Sequence, residues 1–220
     1  MQPQAYLFDM DGLLLDTERL YVELGVEVTA RYGVANHLSE AFFVSLVGSS
    51  SSHTSARLLE FLPARLSVSA FFEEWGALVD ARLADNVPLR PTVRETLATL
   101  SDRGERMAVV TSTNGARARH HLELAGLTHH FETVLAGDEV SANKPDPAPY
   151  CEAAARLGLS AHHCAAFEDS DRGIASAVAA GCHAVQVPDL RAPGAPLPDL
   201  GQLTARTLAE AVEKTQARTG

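Results

Sequence analysis

An α/β fold, with a parallel sheet covered by helices on both faces, is predicted by three features of the 220-residue sequence. From about residue 86 onward, short apolar runs alternate with helix-length amphipathic segments. A similar apolar run, Tyr6-Leu7-Phe8, opens the chain and stops at two acids, Asp9 and Asp11. Between these regions, from Thr17 to about Asp85, only helical periodicity occurs, which marks an insertion after the first strand.

The elements follow in order. Residues 5 to 9 form the first strand. Leu20, Leu24, Val28 and Tyr32 recur every four residues and give a helix, with Gly33 as its stop. "EAFFVSLVG" and "HTSARLLEFL" predict two shorter helices, and "SAFFEEWGALVDARLADN" a longer one. Thr92, with Glu95 three residues on, predicts a capping box for a helix that ends at Gly104. "RMAVVT", "FETVLAG", "CAAFED" and "HAVQVP" predict buried strands. The intervening "NGARARHHLELAG", the segment capped by Asp146 and "SDRGIASAVAAG" predict helices, and "TLAEAVEKTQ" a last short one. The result is a Rossmann-like core of residues 1 to 15 and 86 to 220, with residues 16 to 85 as a small all-helical cap. Both connections cross near the carboxyl end of the first strand, where open parallel sheets bind ligands. Hinges are expected at Asp16–Thr17 and at Asp85 to Pro88.

Composition bounds the function. With 46% hydrophobic and 21% charged residues, the chain reads as an ordinary soluble globular protein. A net charge of -10 argues against nucleic-acid and anionic-membrane partners. Cys151, Cys164 and Cys182 lack metal-type spacing and fit reduced thiols. No secretory leader or membrane-spanning run is evident, so a cytoplasmic monomer or weak dimer is expected.

Four strand ends carry polar residues: Asp9 and Asp11; Thr111; Lys144, after "FETVLAGDEV"; and Glu168 with Asp169. In a parallel sheet these ends share one edge. Several carboxylates gathered there repel one another and resist burial. A hard divalent cation with oxygen ligands resolves both problems, and Mg2+ is the expected cofactor.

"DMDGLLLDTE", the Thr111 strand end, "NKPDP" and "FEDSDRG" resemble, in order, the four motifs of the haloacid dehalogenase superfamily of phosphotransferases. The helical insertion is similar to that family's small cap, and the β-phosphoglucomutase-like subgroup is nearest. The resemblance extends to about Pro188. It implies Asp9 as nucleophile toward phosphorus and Asp11 as general acid and base. Asp9, Asp169 and the backbone carbonyl of Asp11 would ligate the metal, with Glu168 as an outer partner or a ligand through water. Thr111 and Lys144 would hold the phosphoryl oxygens. Backbone N–H groups of Met10, Asp11 and Ser112 would complete the cradle. Separately from the resemblance, Ser49 to Ser52 read as a flexible turn before a helix, with a substrate-facing loop of Gly48, Ser49, Ser50 and Ser51 in the cap as the alternative.

Plainer readings compete for some residues. Thr111 could cap the next helix, with Ser112, Thr113 and Asn114 sharing the phosphate, and Glu168 could simply pair with Arg172. The paired histidines 120–121, 129–130 and 162–163 are expected on the surface, because helical neighbours point about 100° apart and chelate poorly. Phe42, Phe43, Phe71, Phe72 and Trp75 are expected in the cap core.

The expected activity is Mg2+-dependent hydrolysis of a small sugar or polyol phosphate monoester through an aspartyl-phosphate. A dehalogenase has no evident need for Asp11, and phosphonate cleavage would want a cap lysine, of which residues 16 to 85 contain none. A sugar-phosphate mutase is the enzymatic alternative; it needs cap cations, for which Arg57, Arg65 and Arg82 are the candidates. A phosphate-responsive signalling or binding protein without turnover is the alternative of another class.

Overall fold

The computed structural model describes residues 2–49, 51–84, 86–191 and 195–217. Six strands form one parallel sheet in the order β3-β2-β1-β4-β5-β6. They are β1 (Ala5–Phe8), β2 (Met107–Val110), β3 (Thr133–Leu135), β4 (Cys164–Glu168), β5 (His183–Gln186) and β6 (Leu203–Thr204). Side chains of β1 alternate between two clusters, as the two-residue repeat of a strand requires. Tyr6 and Phe8 enter one core with helices α5 (Val93–Asp102), α6 (Gly115–Leu124) and α9 (Leu208–Ala217). Ala5 and Leu7 enter the other, beneath α7 (Ala148–Arg156) and α8 (Asp171–Ala179). Both faces of the sheet are therefore covered, which is why β1 and β2 are apolar along their length and β4 is apolar up to Glu168.

Between β1 and α5 the chain forms a block of four helices: α1 (Glu18–Arg31), α2 (Asn36–Val44), α3 (Ser51–Phe61) and α4 (Val68–Leu83). They bury a cluster of their own around Phe43, Leu58 and Phe71. Gly33 ends α1 in the left-handed region (φ +80°). The helical block is also seated on the sheet core, because Leu24, Val79 and Leu83 join the first cluster. The two linkers pair with each other. Leu15 bridges Leu89, the Asp16 N–H donates to the Pro88 carbonyl at 2.8 Å, and the Arg90 N–H donates to that of Leu14 at 3.0 Å.

Three local expectations change. Thr92 does not cap α5: it sits at φ 67° with no capping bond, and its hydroxyl accepts from the Ala209 N–H at 3.1 Å, so packing against α9 has taken the side chain. Helix α2 begins at Asn36, four residues before "EAFFVSLVG". The two-residue β6 extends the sheet by pairing with Val185 and Gln186, too short to leave a periodic signal. Asp85, within the second expected hinge, lies outside the described residues.

The helical block owes its rigidity to its aromatic centre. Phe71 is fully buried and stacks 5.6 Å from Phe43. Phe71→Ala should cost about 3–5 kcal/mol, read as a lower urea midpoint. A cost below about 1 kcal/mol would mean that this side chain is not enclosed as described.

Candidate active site

Strand register assembles the site. Phe8 lies beside Phe167 on β4, and the Asp9 N–H donates to the Phe167 carbonyl at 3.0 Å. The residue after β1 thus arrives next to the acidic end of β4. Asp9, Glu168 and Asp169 are all buried, and each offers one carboxylate oxygen within 4.8 Å of the others'. Lys144 Nζ sits among them, 2.5 Å from Asp9 Oδ1 and 2.6 Å from Glu168 Oε1, and donates to the Val110 carbonyl at 2.8 Å. Glu168 also accepts from the Tyr150 hydroxyl at 2.6 Å. Its expected alternative partner, Arg172, instead donates to the Lys144 carbonyl at 2.8 Å.

One cation does not balance three acids. Burial, then Glu168, raises the Asp9 carboxyl well above its usual range despite Lys144. Burial, then Asp9 and Glu168, does the same to Asp169. Burial alone would lower Lys144, but Asp9 and Glu168 outweigh it, so the ammonium is held charged. Asp169 Oδ2 is buried and accepts no hydrogen bond among the described residues. A Cβ on Gly12, itself at φ +84°, would fall 2.3 Å from that oxygen. The chain therefore leaves a buried oxygen and the room beside it open. All-oxygen donors, surplus negative charge and this orphaned atom together fit a hard divalent cation.

Asp11 stands apart from the three clustered carboxylates. It accepts from the Thr17 hydroxyl at 2.6 Å and the Thr113 hydroxyl at 2.8 Å. Thr111 is buried at the end of β2, and its hydroxyl oxygen accepts from the Thr113 N–H at 3.1 Å, leaving its proton to be donated elsewhere. It does not cap α6: Asn114 does, accepting from the Ala116 N–H at 3.0 Å.

These groups open into a cavity of about 350 Å³, within the usual small-molecule range of about 300–1,000 Å³. Asp9, Asp11, Thr111, Ser112 and Lys144 line it from the core, and Gly48 and Ser49 from the helical block. Met10 contributes no lining side chain; it is fully buried in the core, so only its backbone can serve the site. Ser50 lies outside the described residues, and Ser51 begins α3. The aromatic residues divide between two roles. Phe43, Phe72 and Trp75 line the cavity as well as packing the block, whereas Phe71 is core alone. Of the cap arginines, Arg57 lies over the Phe42 ring, Arg65 donates to the Tyr32 carbonyl, and neither they nor Arg82 lines the cavity.

Several lining residues escaped the sequence reading. Glu18 is buried, accepts from the Gly48 N–H, and is raised by burial and then by Asp11 and Asp9. Its position in "DTE", seven residues beyond Asp11 at the start of α1, is the available signal. Tyr21 and Arg117 also line the cavity, with nothing in their local sequence to mark them. His121 corrects the expectation of surface histidines: it is 1% exposed, neither ring nitrogen finds a hydrogen-bond partner among the described residues, and burial lowers its pKa.

A parallel sheet whose strand ends gather three carboxylates, a lysine and a threonine beneath a helical block defines a class of α/β enzyme. The chain belongs to the haloacid dehalogenase-like hydrolase family, whose model matches residues 6–187. It is 36% identical to the fructose-1-phosphate phosphatase YqaB of Escherichia coli (strain K12) over 182 residues, covering 82% of this chain and 94% of that one. It is 32% identical to a phosphorylated carbohydrates phosphatase of Thermotoga maritima, covering 81% and 82%. Its fold matches the crystal structure of CbbY from Rhodobacter sphaeroides in complex with phosphate at a TM-score of 0.77 and 26% identity, covering 96% of each chain.

The raised carboxyls give the metal-free chain a pH dependence of known sign. A carboxyl raised on folding contributes stability that is full below its unfolded pKa, about 4, and is lost as pH climbs through the raised native value. In EDTA, the urea midpoint should therefore fall between about pH 5 and about pH 8, and fall less in Asp169→Asn. Equal slopes for the two proteins would show that the fold does not raise the Asp169 carboxyl.

Proposed function

We propose that this protein is a Mg2+-dependent phosphatase of small sugar or polyol phosphate monoesters, working through an aspartyl-phosphate on Asp9. The observation that carries the reading is Asp9 itself: a buried carboxylate 2.5 Å from Lys144, at the floor of a cavity that also exposes Asp11 and Thr111. The named activities of the relatives support the substrate class.

Asp9 and Asp169, with the backbone carbonyl of Asp11, would hold Mg2+, which when bound neutralises the ester's negative charge. Glu168 has one oxygen committed to Tyr150 and Lys144, which suits a partner outside that ligand set. Lys144 and the Thr111 hydroxyl bind phosphoryl oxygens and stabilise the charge that spreads over them. Asp9 attacks phosphorus as the bond to the ester oxygen breaks, and Asp11 gives that oxygen its proton. Asp11, now ionised, takes a proton from water as the water attacks the aspartyl-phosphate, releasing inorganic phosphate and restoring Asp9. The bonds from Thr17 and Thr113 aim the Asp11 carboxyl while leaving it outside the ligand cluster. Residues 16 to 85 act as a cap on the core of residues 1 to 15 and 86 to 220, excluding bulk water while the acyl-phosphate exists. The failure of Arg57, Arg65 and Arg82 to reach the cavity favours hydrolysis over a mutase, which must hold a second phosphate.

Phosphate release from a hexitol phosphate, together with mass detection of the phosphoenzyme, tests the reading. Asp9→Asn should abolish both. Asp11→Asn should cut turnover by about 10²–10⁴-fold and leave Mg2+ affinity largely intact. Near-normal turnover in Asp9→Asn would overturn the assignment.

A further inference from the structure

The cavity has a second cation, and its placement differs from that of Lys144. The Lys144 side chain is 3% exposed and engaged by Asp9 and Glu168, whereas the Arg117 side chain is 34% exposed. Arg117 therefore sits at the rim, on the first turn of α6. Its guanidinium crosses to the helical block and meets Asp80 of α4 at 3.3 Å, a loose contact with a carboxylate that is itself 57% exposed. That geometry leaves guanidinium donors for the cavity.

Helix α4 makes room for this side chain. Gly76 lies in its middle, where glycine weakens a helix. A Cβ there would stand 3.0 Å from the Arg117 guanidinium. The Tyr21 phenol, which bonds to Asp11, feels both Glu18 and Arg117, so the rim cation lies within electrostatic reach of the proposed general acid's surroundings. Asn114, one turn before Arg117, lines the same wall.

Building on the phosphatase reading, we propose that Arg117 is a specificity-determining residue that hydrogen-bonds the hydroxyls of the ester's carbon body, distal to the phosphate. A hydroxylated, uncharged body suits this wall better than a second phosphate. Arg117 already shares its charge with Asp80, which leaves less of it to balance a second phosphate. A planar fork of donors reads vicinal hydroxyls, and an arginine anchored at one edge loses little freedom in doing so.

The test compares sorbitol 6-phosphate with ethyl phosphate, which is too short to reach the rim. In Arg117→Ala, KM for sorbitol 6-phosphate should rise about tenfold with kcat little changed, the mark of lost ground-state binding. The loss in kcat/KM for ethyl phosphate should be several-fold smaller. Asp80→Ala separates direct contact from bridging to the helical block. It should leave the ratio of the two substrates near the wild-type value. Equal losses on both substrates in Arg117→Ala, or an Asp80→Ala variant that reproduces the full change in ratio, would overturn the proposal. A wild-type chain inert toward both esters would instead sink the phosphatase reading beneath it.

Discussion

Three buried carboxylates beside one lysine are the constraint on which the rest of this structure depends. Burying Asp9, Glu168 and Asp169 together is unfavourable, and Lys144 offsets only part of the cost. The register of β1 against β2 and β4, whose residues are apolar up to Glu168, fixes the acids at one edge of the sheet. Tyr150 from α7 then holds Glu168, and the Val110 carbonyl holds Lys144, whereas Asp169 Oδ2 has no partner among the described residues. The site is thus a store of unfavourable electrostatics, released when positive charge enters.

That same edge explains the position of the helical insertion. Its entry and exit strands pair through Leu15 and Leu89, directly behind Asp11, and its first residue before α1, Thr17, bonds to that acid. The block therefore meets the cavity at its root, through Thr17 and Asp11, as well as along its walls. Phe43, Phe72 and Trp75 serve two purposes there: they stabilise a four-helix unit and form the apolar wall of the cavity. Asn114 and Arg117, at the start of α6, line the same cavity, so the helical block and the sheet core each supply a share of its lining.

Much of this was legible in the sequence because it is written locally. Asp9 and Asp11 interrupt an apolar run, Glu168 and Asp169 end another, and Lys144 stands in a short proline-flanked motif. Such signals survive without tertiary information. What was not legible arises from contacts between distant elements. Arg117 is an ordinary helical arginine until α4 presents Gly76 and Asp80 to it. His121 is an ordinary surface candidate until α6 turns it inward. Thr92 has the sequence of a cap and lost that role to α9. Trp75 was assigned to the core correctly, but its second role at the cavity depends on how the block sits over the sheet.

The most direct test of the central claim is the thermal midpoint of the protein in EDTA and then in millimolar MgCl2, with no substrate present. If the acids that follow β1 and end β4 form a cation site, Mg2+ binds the folded state alone and raises the midpoint, with a rise that grows as the logarithm of free Mg2+ above its dissociation constant. The rise should vanish in Asp169→Asn. Identical midpoints with and without Mg2+ in the wild type would contradict the account.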